Sequence, residues 1–315
     1  MFVKIHNTEI LPGANELVKI PVGRIPSGNQ ILIRAHVYRS LIDGPTALVL
    51  AGVHGDEVNG VEIVRQAVAS EMFRSIRRGT IIAIPILNVY GFINFSREVP
   101  DGKDVNRSFP GSLRGSLASR VARIISKKII PVVDFGVDFH TGGRSIYNFP
   151  QIRYTAGDEE ARDLALAFGA PQLLAKKTIS KSLRKYAHDK GKRILVFEGG
   201  ENLRLDDYSI ANGLKGLQRL LVHQQMLEGP APVEQPSWHY LKSSWLRAPK
   251  AGIFQWTKGS GQMVTKGEPI GSITDPYGLE RTPLRADETG HIIGHSNLPV
   301  VTQGDALFHI AHHHA

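Results

Sequence analysis

The sequence contains no cysteine. Disulfides and thiolate ligands are therefore excluded, and any metal site must be built from histidine and carboxylates. No apolar run approaches the roughly 18 residues of a membrane-spanning helix, so no membrane partner is expected. The opening MFVKIHNTEILPG lacks a basic segment followed by a long apolar one, which argues against a secretory signal. Together with the missing cysteine, this fits a cytoplasmic protein. Acidic residues are in deficit, and the net charge is +9. A basic chain raises the question of nucleic acid. The basic clusters are short and scattered (RSIRRG, SKKII, KSLRKYAHDKGKR), as on solvated helix ends. No nucleic-acid partner is expected, and the surface charge suits the steering of a small anion.

The 315 residues, 42% of them apolar and 21% charged, suffice for a large domain plus a smaller one. From about residue 46 to 226, apolar runs alternate with segments of helical spacing. ALVLAG, TIIAIPIL, VDFGVDFH and RILVFEGG read as buried strands. EVNGVEIVRQAVASEMF, SRVARIISKKI, DEEARDLALAFG, ISKSLRKYAHDKG and IANGLKGLQRLLVHQQM read as helices, the third stopping at Gly169. The pattern predicts an α/β fold: a mostly parallel mixed sheet flanked by helices over residues 1–228, with a β-rich start (1–45). Residues 229–244, opening with GPAPVEQPSW, read as a linker. Residues 245–315 carry a quasi-repeat in which Gly252 matches Gly290, Gly267 matches Gly304 and Ile273 matches Ile310. This predicts a small C-terminal all-β barrel-sandwich built by duplication. The closing histidines read as an inert tail.

Sites in open α/β sheets form beyond the carboxyl ends of strands. His54 and Glu57 follow the first strand, Asn88 the second, His140 ends the third, and Glu198 follows the fourth. Two histidines and two glutamates at three strand ends suit zinc hydrolysis. His54, Glu57 and His140 would bind one Zn2+ per chain with a position left open for water, and Glu198 would be the general base. Asp56 reads as a helix-start residue, and Asp138 as a neighbour able to orient a histidine. The loop NFSREVPDGKDVNRSFPG carries Arg97, Asn106 and Arg107, whose guanidinium groups suit gripping a carboxylate or stabilising an oxyanion.

The ordered pieces GVHGDEVNG, NVYGF…SR…DVNRSFPG, DFHTGG and VFEGG resemble the succinylglutamate desuccinylase/aspartoacylase family, within the wider group of zinc carboxypeptidase-like enzymes. The resemblance spans residues 46 to 200. It implies zinc on His54, Glu57 and His140, Glu198 as base, Arg97 at the scissile carbonyl, and Asn106 with Arg107 at a substrate carboxylate. YNFPQIR resembles a family segment that makes Arg153 a further anion-binding candidate. The implied activity is hydrolysis of a small anionic N-acyl amino acid. The C-terminal repeat is similar to biotinyl and lipoyl carrier modules, but residues 268–290 contain no lysine, which excludes a carrier role. Tyr277, in DPYG, is a candidate catalytic tyrosine whose safer reading is a turn residue. The competing readings are a carboxypeptidase on short peptides and a non-catalytic small-molecule binding protein. The sequence leaves homo-oligomerisation open.

Overall fold

The computed structural model describes residues 3–229 and 237–314. Val3–Ile5 (β1) and Thr8–Ile10 (β2) form a small hairpin. Asn15–Arg24 (β3), Gln30–Arg39 (β4), Thr46–Ala51 (β5), helix Val58–Ala69 (α1) and Thr80–Ile84 (β6) follow. A short helix, Val89–Ile93 (α2), opens a long loop. Leu117–Ile124 (α3) then runs through a π turn into Phe135–Gly142 (β7). Ile146–Thr155 (β8), Glu159–Phe168 (α4), Gln172–Lys176 (β9), Leu183–His188 (α5), Arg193–Glu201 (β10) and Asp207–His223 (α6) complete the α/β part. The C-terminal strands are Trp238–Arg247 (β11), Gly252–Trp256 (β12), Met263–Val264 (β13), Pro269–Thr274 (β14), Arg281–Arg285 (β15), Gly290–Ser296 (β16), Val300–Val301 (β17) and Ala306–His314 (β18).

Every residue of β5, β6 and β7 is buried, as the apolar runs of β5 and β6 require of strands covered on both faces. Successive side chains part to opposite sides. Ala47, Val49 and Ala51 join Ile63, Phe168, Leu217 and Leu220 in one core, under α1, α4 and α6. Leu48 and Leu50 join Val121, Ile125, Leu183 and Ala187 in another, under α3 and α5. Helix α4 ends as its sequence predicts: Gly169 adopts a left-handed φ of 63° and its N–H caps Ala165.

The sheet is mixed rather than mostly parallel. Its order is β13-β16-β18-β11-β9-β8-β10-β7-β5-β6-β4-β3. Parallel pairing is confined to β10-β7-β5-β6 and to β8-β9-β11. The strand that breaks the parallel run is β8, antiparallel to β10. Only residues 143–145 separate it from β7, too few for a crossover, so it can only turn back. Strands β8 and β9 have no place in the sequence reading, because YNFPQIRYT and QLLAK lack the long apolar runs of the central strands.

Strand β11 pairs with β9 and strand β16 with β8, so the sheet continues into the C-terminal region. A second layer, β15-β14-β12-β17, packs on that extension around Phe254, Ile270, Leu284 and Phe308. The quasi-repeat has a physical meaning there. Ile273 and Ile310 both lie in this core, and Gly267 and Gly304 both turn the chain at φ 85° and 92°. Of the expected linker 229–244, residues 230–236 lie outside the described residues, and from Trp238 the chain is strand. The closing histidines belong to β18, with His312 and His314 in register with Lys242 and Tyr240.

Candidate active site

Residues 52–57 form the turn that joins β5 to α1. The glycine in this turn is dictated by a close approach: a Cβ on Gly55 would sit 1.9 Å from the backbone of Gly91. Glu57 stands at the N-cap of α1 but makes no capping bond with its side chain. Its carboxylate instead faces two imidazoles, with Oε1 2.8 Å from His54 Nδ1 and Oε2 2.7 Å from His140 Nδ1. His140 and Asp138 are two apart in β7 and so share one face of the strand. The ligand atoms of His54, Glu57 and His140 all lie within 4.8 Å of one another, and all three residues are buried.

Both histidines turn Nδ1 inward and Nε2 outward. His140 Nε2 is 2.8 Å from Asp138 Oδ2, and His54 Nε2 is 3.2 Å from Asp104 Oδ1. A carboxylate on the outer nitrogen fixes ring orientation and makes the inner nitrogen a better ligand. Burial opposes the charge on Glu57, yet the imidazoles beside it hold its carboxyl well below the usual range. Burial likewise opposes protonation of His140, but Asp138 and Glu57 hold it well above the ordinary imidazole value. His54 moves the same way, burial being outweighed by Glu57 and Asp104.

The three residues open onto a cavity of about 320 Å³ that also reaches Arg97, Asn106, Arg107, Arg153 and Glu198. All the site residues expected from the sequence are thus brought together. Glu198 accepts from Asn148 Nδ2 (2.9 Å) and Arg153 Nη1 (3.0 Å). Arg153 is paired with the candidate base in this geometry. Arg97 donates to Glu57 Oε1 (3.2 Å) and Asp104 Oδ2 (3.0 Å). The buried Asn88 caps α2 and donates to the Arg97 carbonyl at 3.2 Å, so the second strand end positions this arginine. Asn106 Oδ1 accepts from Leu183 N (2.8 Å), tying its loop to α5. Arg107 is exposed and donates to the Asn106 carbonyl at 2.7 Å, which puts it at the rim.

Asp56 is no helix cap. Its side chain accepts from Asn202 at 2.9 Å. Tyr277 is 86% exposed and does not line the cavity, as its turn reading anticipates. The C-terminal residue that does line it is Trp245, on β11. Sequence reasoning missed Asp104, Asn148 and Arg184. Asp104 had a signal, a carboxylate two positions before Asn106 in the same loop. Asn148 and Arg184 had none, because their elements were unplaced or read only as solvated helix.

The family description "Succinylglutamate desuccinylase/Aspartoacylase catalytic domain" matches residues 43–224. The chain belongs to the succinylglutamate desuccinylase/aspartoacylase family. It is 29% identical over 283 residues to the N-alpha-acetyl-L-2,4-diaminobutyric acid deacetylase of Halomonas elongata, covering 85% of this chain and 82% of the relative. Its fold matches the product-bound ectoine utilization protein EutE (DoeB) of Ruegeria pomeroyi, with TM-score 0.83, 25% identity and coverage of 95% and 94%. A succinylglutamate desuccinylase/aspartoacylase structure from Rhodobacter sphaeroides matches with TM-score 0.83 and 26% identity, covering 95% of each chain. Family members of this kind share the α/β fold with a β-rich C-terminal region seen here. Among the described residues, no helix is long and apolar enough to cross a membrane.

Proposed function

We propose that this family member is a zinc-dependent amidohydrolase that removes the acyl group from a small N-acylated amino acid. The observation that carries this reading is the inward-facing set of His54 Nδ1, Glu57 and His140 Nδ1, braced from outside by Asp104 and Asp138, in the same cavity as Glu198. Two histidines and one glutamate, with no sulfur, fit zinc with a coordination position left open. Bound there, zinc would supply a Lewis acid and lower the pKa of water.

The chain's own residues do the rest. Glu198, aimed by Asn148 and Arg153, takes the proton of the attacking water and returns it to the leaving amine. Arg97, anchored by Asp104, presents its guanidinium to the carbonyl oxygen as negative charge develops. Asn106 and the rim Arg107 meet the amino-acid half as it enters. A cavity of about 320 Å³ favours a small substrate over a peptide chain. The Halomonas elongata relative's name supports acetyl as the acyl group.

The test is a screen of N-acyl amino acids and short peptides against metal-loaded protein, with free amine as the readout. Release of amine from at least one N-acyl amino acid, abolished by chelation and restored by zinc, is expected. Turnover that survives chelation, or cleavage of peptides alone, would refute the proposal.

A further inference from the structure

A tryptophan from the C-terminal strands forms one wall of the cavity. Trp245, on β11, is 37% exposed and lines the cavity. Ser243 is two residues before it on the same strand face, and His309 of β18 is its partner in register. The imidazole of His309 lies flat behind the indole, with ring centroids 4.3 Å apart and planes 11° from parallel. His309 is itself fixed. Ser243 Oγ accepts from Lys176 Nζ and donates its own proton to His309 Nε2 at 2.7 Å. Burial, with Arg153 and Lys176 adding to it, holds His309 well below the ordinary imidazole value, so the ring behind Trp245 is neutral. One indole face is thus covered by a buried, hydrogen-bonded ring, and the other is left to whatever enters the cavity.

Strand order places this wall. His54 and Glu57 follow β5, and His140 lies in β7, Glu198 in β10, Arg153 in β8, Lys176 in β9 and Trp245 in β11. These strands are neighbours in the order β5-β7-β10-β8-β9-β11. Trp245 therefore stands on the far side of Glu198 from the metal cluster. Glu198 returns its proton to the leaving amine, so the group that reaches Trp245 belongs to the amine half. Among the described residues, the lining sets four arginines against two carboxylates, Glu57 and Glu198. Both carboxylates are engaged, Glu57 with the imidazoles and Arg97, and Glu198 with Arg153. An ammonium group on the side chain would meet like charge with no free carboxylate to pair it. The indole and the neutral imidazole behind it give neither an ammonium nor a second carboxylate anything in place of its water. An aromatic ring gains there, by stacking on the indole or meeting its edge.

We infer that Trp245 is a specificity residue for the side chain on the amine half of the substrate, and that this side chain is uncharged and aromatic. This rests on the deacylase reading for which half of the substrate meets Trp245.

The experiment compares N-acetyl-L-phenylalanine with N-acetyl-L-alanine, Nα-acetyl-L-2,4-diaminobutyrate and N-acetyl-L-aspartate on the zinc-loaded protein. Amine release by wild type has a kcat/KM about tenfold or more higher on the phenylalanine compound than on any of the others. Trp245→Gln loses most of that preference, and Trp245→Phe keeps it. Calorimetric titration of the zinc-loaded Glu198→Gln protein, which leaves the ligand uncleaved, shows the same preference in Kd. Equal rates on the phenylalanine and alanine compounds, a best rate on the diaminobutyrate or aspartate compound, or a Trp245→Gln protein with its preference intact overturns the inference. Should Trp245→Gln fail to fold, the structure of the zinc-loaded Glu198→Gln protein with N-acetyl-L-phenylalanine decides. A phenyl centroid about 4.5–7 Å from that of the indole supports the inference, and a phenyl ring anywhere else overturns it. The titration separates this inference from the reading it rests on. Phenylalanine-selective binding without amine release by wild type would sink the deacylase reading and leave the aromatic subsite standing. Amine release with no preference among side chains would do the reverse.

Discussion

Replacing Asp138 by asparagine tests how the buried carboxylates act on the metal cluster. Asp138 is 1% exposed, and its Oδ2 accepts from His140 Nε2 at 2.8 Å. Asparagine keeps the shape and an acceptor oxygen but removes the charge. Hydrogen bonds to charged groups contribute about 1.5–3 kcal/mol and neutral ones about 0.5–1.5, so the change costs about 1–1.5 kcal/mol. That corresponds to roughly tenfold weaker metal binding, the lower end of the range for outer partners of a ligating histidine. The same carboxylate also favours protonation of His140 in the metal-free protein. Removing it weakens proton competition and offsets part of the loss. The defect in Asp138→Asn is therefore smallest at low pH and grows as pH rises. Competition titration of zinc against a chelator between about pH 6 and 8 measures this directly. At fixed saturating zinc, a tenfold loss removes about 1.4 kcal/mol of ligand stabilisation, visible as a lower melting temperature. Unchanged zinc affinity at the upper pH, or a defect that shrinks as pH rises, would show that Asp138 does not brace His140 as described.

Glu198→Gln should retain zinc, because Glu198 belongs to no part of the ligand set, and should lose roughly 10²–10⁴-fold in kcat. A near wild-type rate on a confirmed substrate would require another base. Burial brings His295 down to about 4, and its Nδ1 accepts from Ser260 N at 3.0 Å. A folded-state value below the unfolded one near 6.5 gives stability that is present above 6.5 and lost as pH falls toward 4, about 3 kcal/mol in all. Denaturant titrations at pH 7 and 4.5 should show a steeper loss for wild type than for His295→Gln, and parallel curves would count against it. Gly55→Ala should disrupt the metal cluster, since its Cβ would overlap the backbone at Gly91. Wild-type zinc affinity and melting temperature in that variant would contradict the packing.

Much of the site was legible in the chain because its chemistry is local to strand ends. The unbroken apolar runs of TALVLA and TIIAI identify central strands, and whatever polar residue follows such a strand stands at the sheet's carboxyl edge. That logic alone assembles His54, Glu57, His140 and Glu198, and the ordered motifs add Arg97, Asn106 and Arg107. Asp138, two residues before His140, was legible as a neighbour able to orient it, and the contact itself came from the fold.

Tertiary structure decided what depends on elements distant in sequence. Strand β8 returns antiparallel because three residues cannot make a crossover, and this reversal sets Asn148 and Arg153 against Glu198. Asp104 reaches His54 across 50 positions, a distance along the chain that no local pattern reports. The difference between Arg107 at the rim and Arg184 in the interior is one of burial. Sequence assigns both the same charge and chemistry. Only the packing of α5 beside the Asn106 loop leaves one solvated at the rim and the other buried.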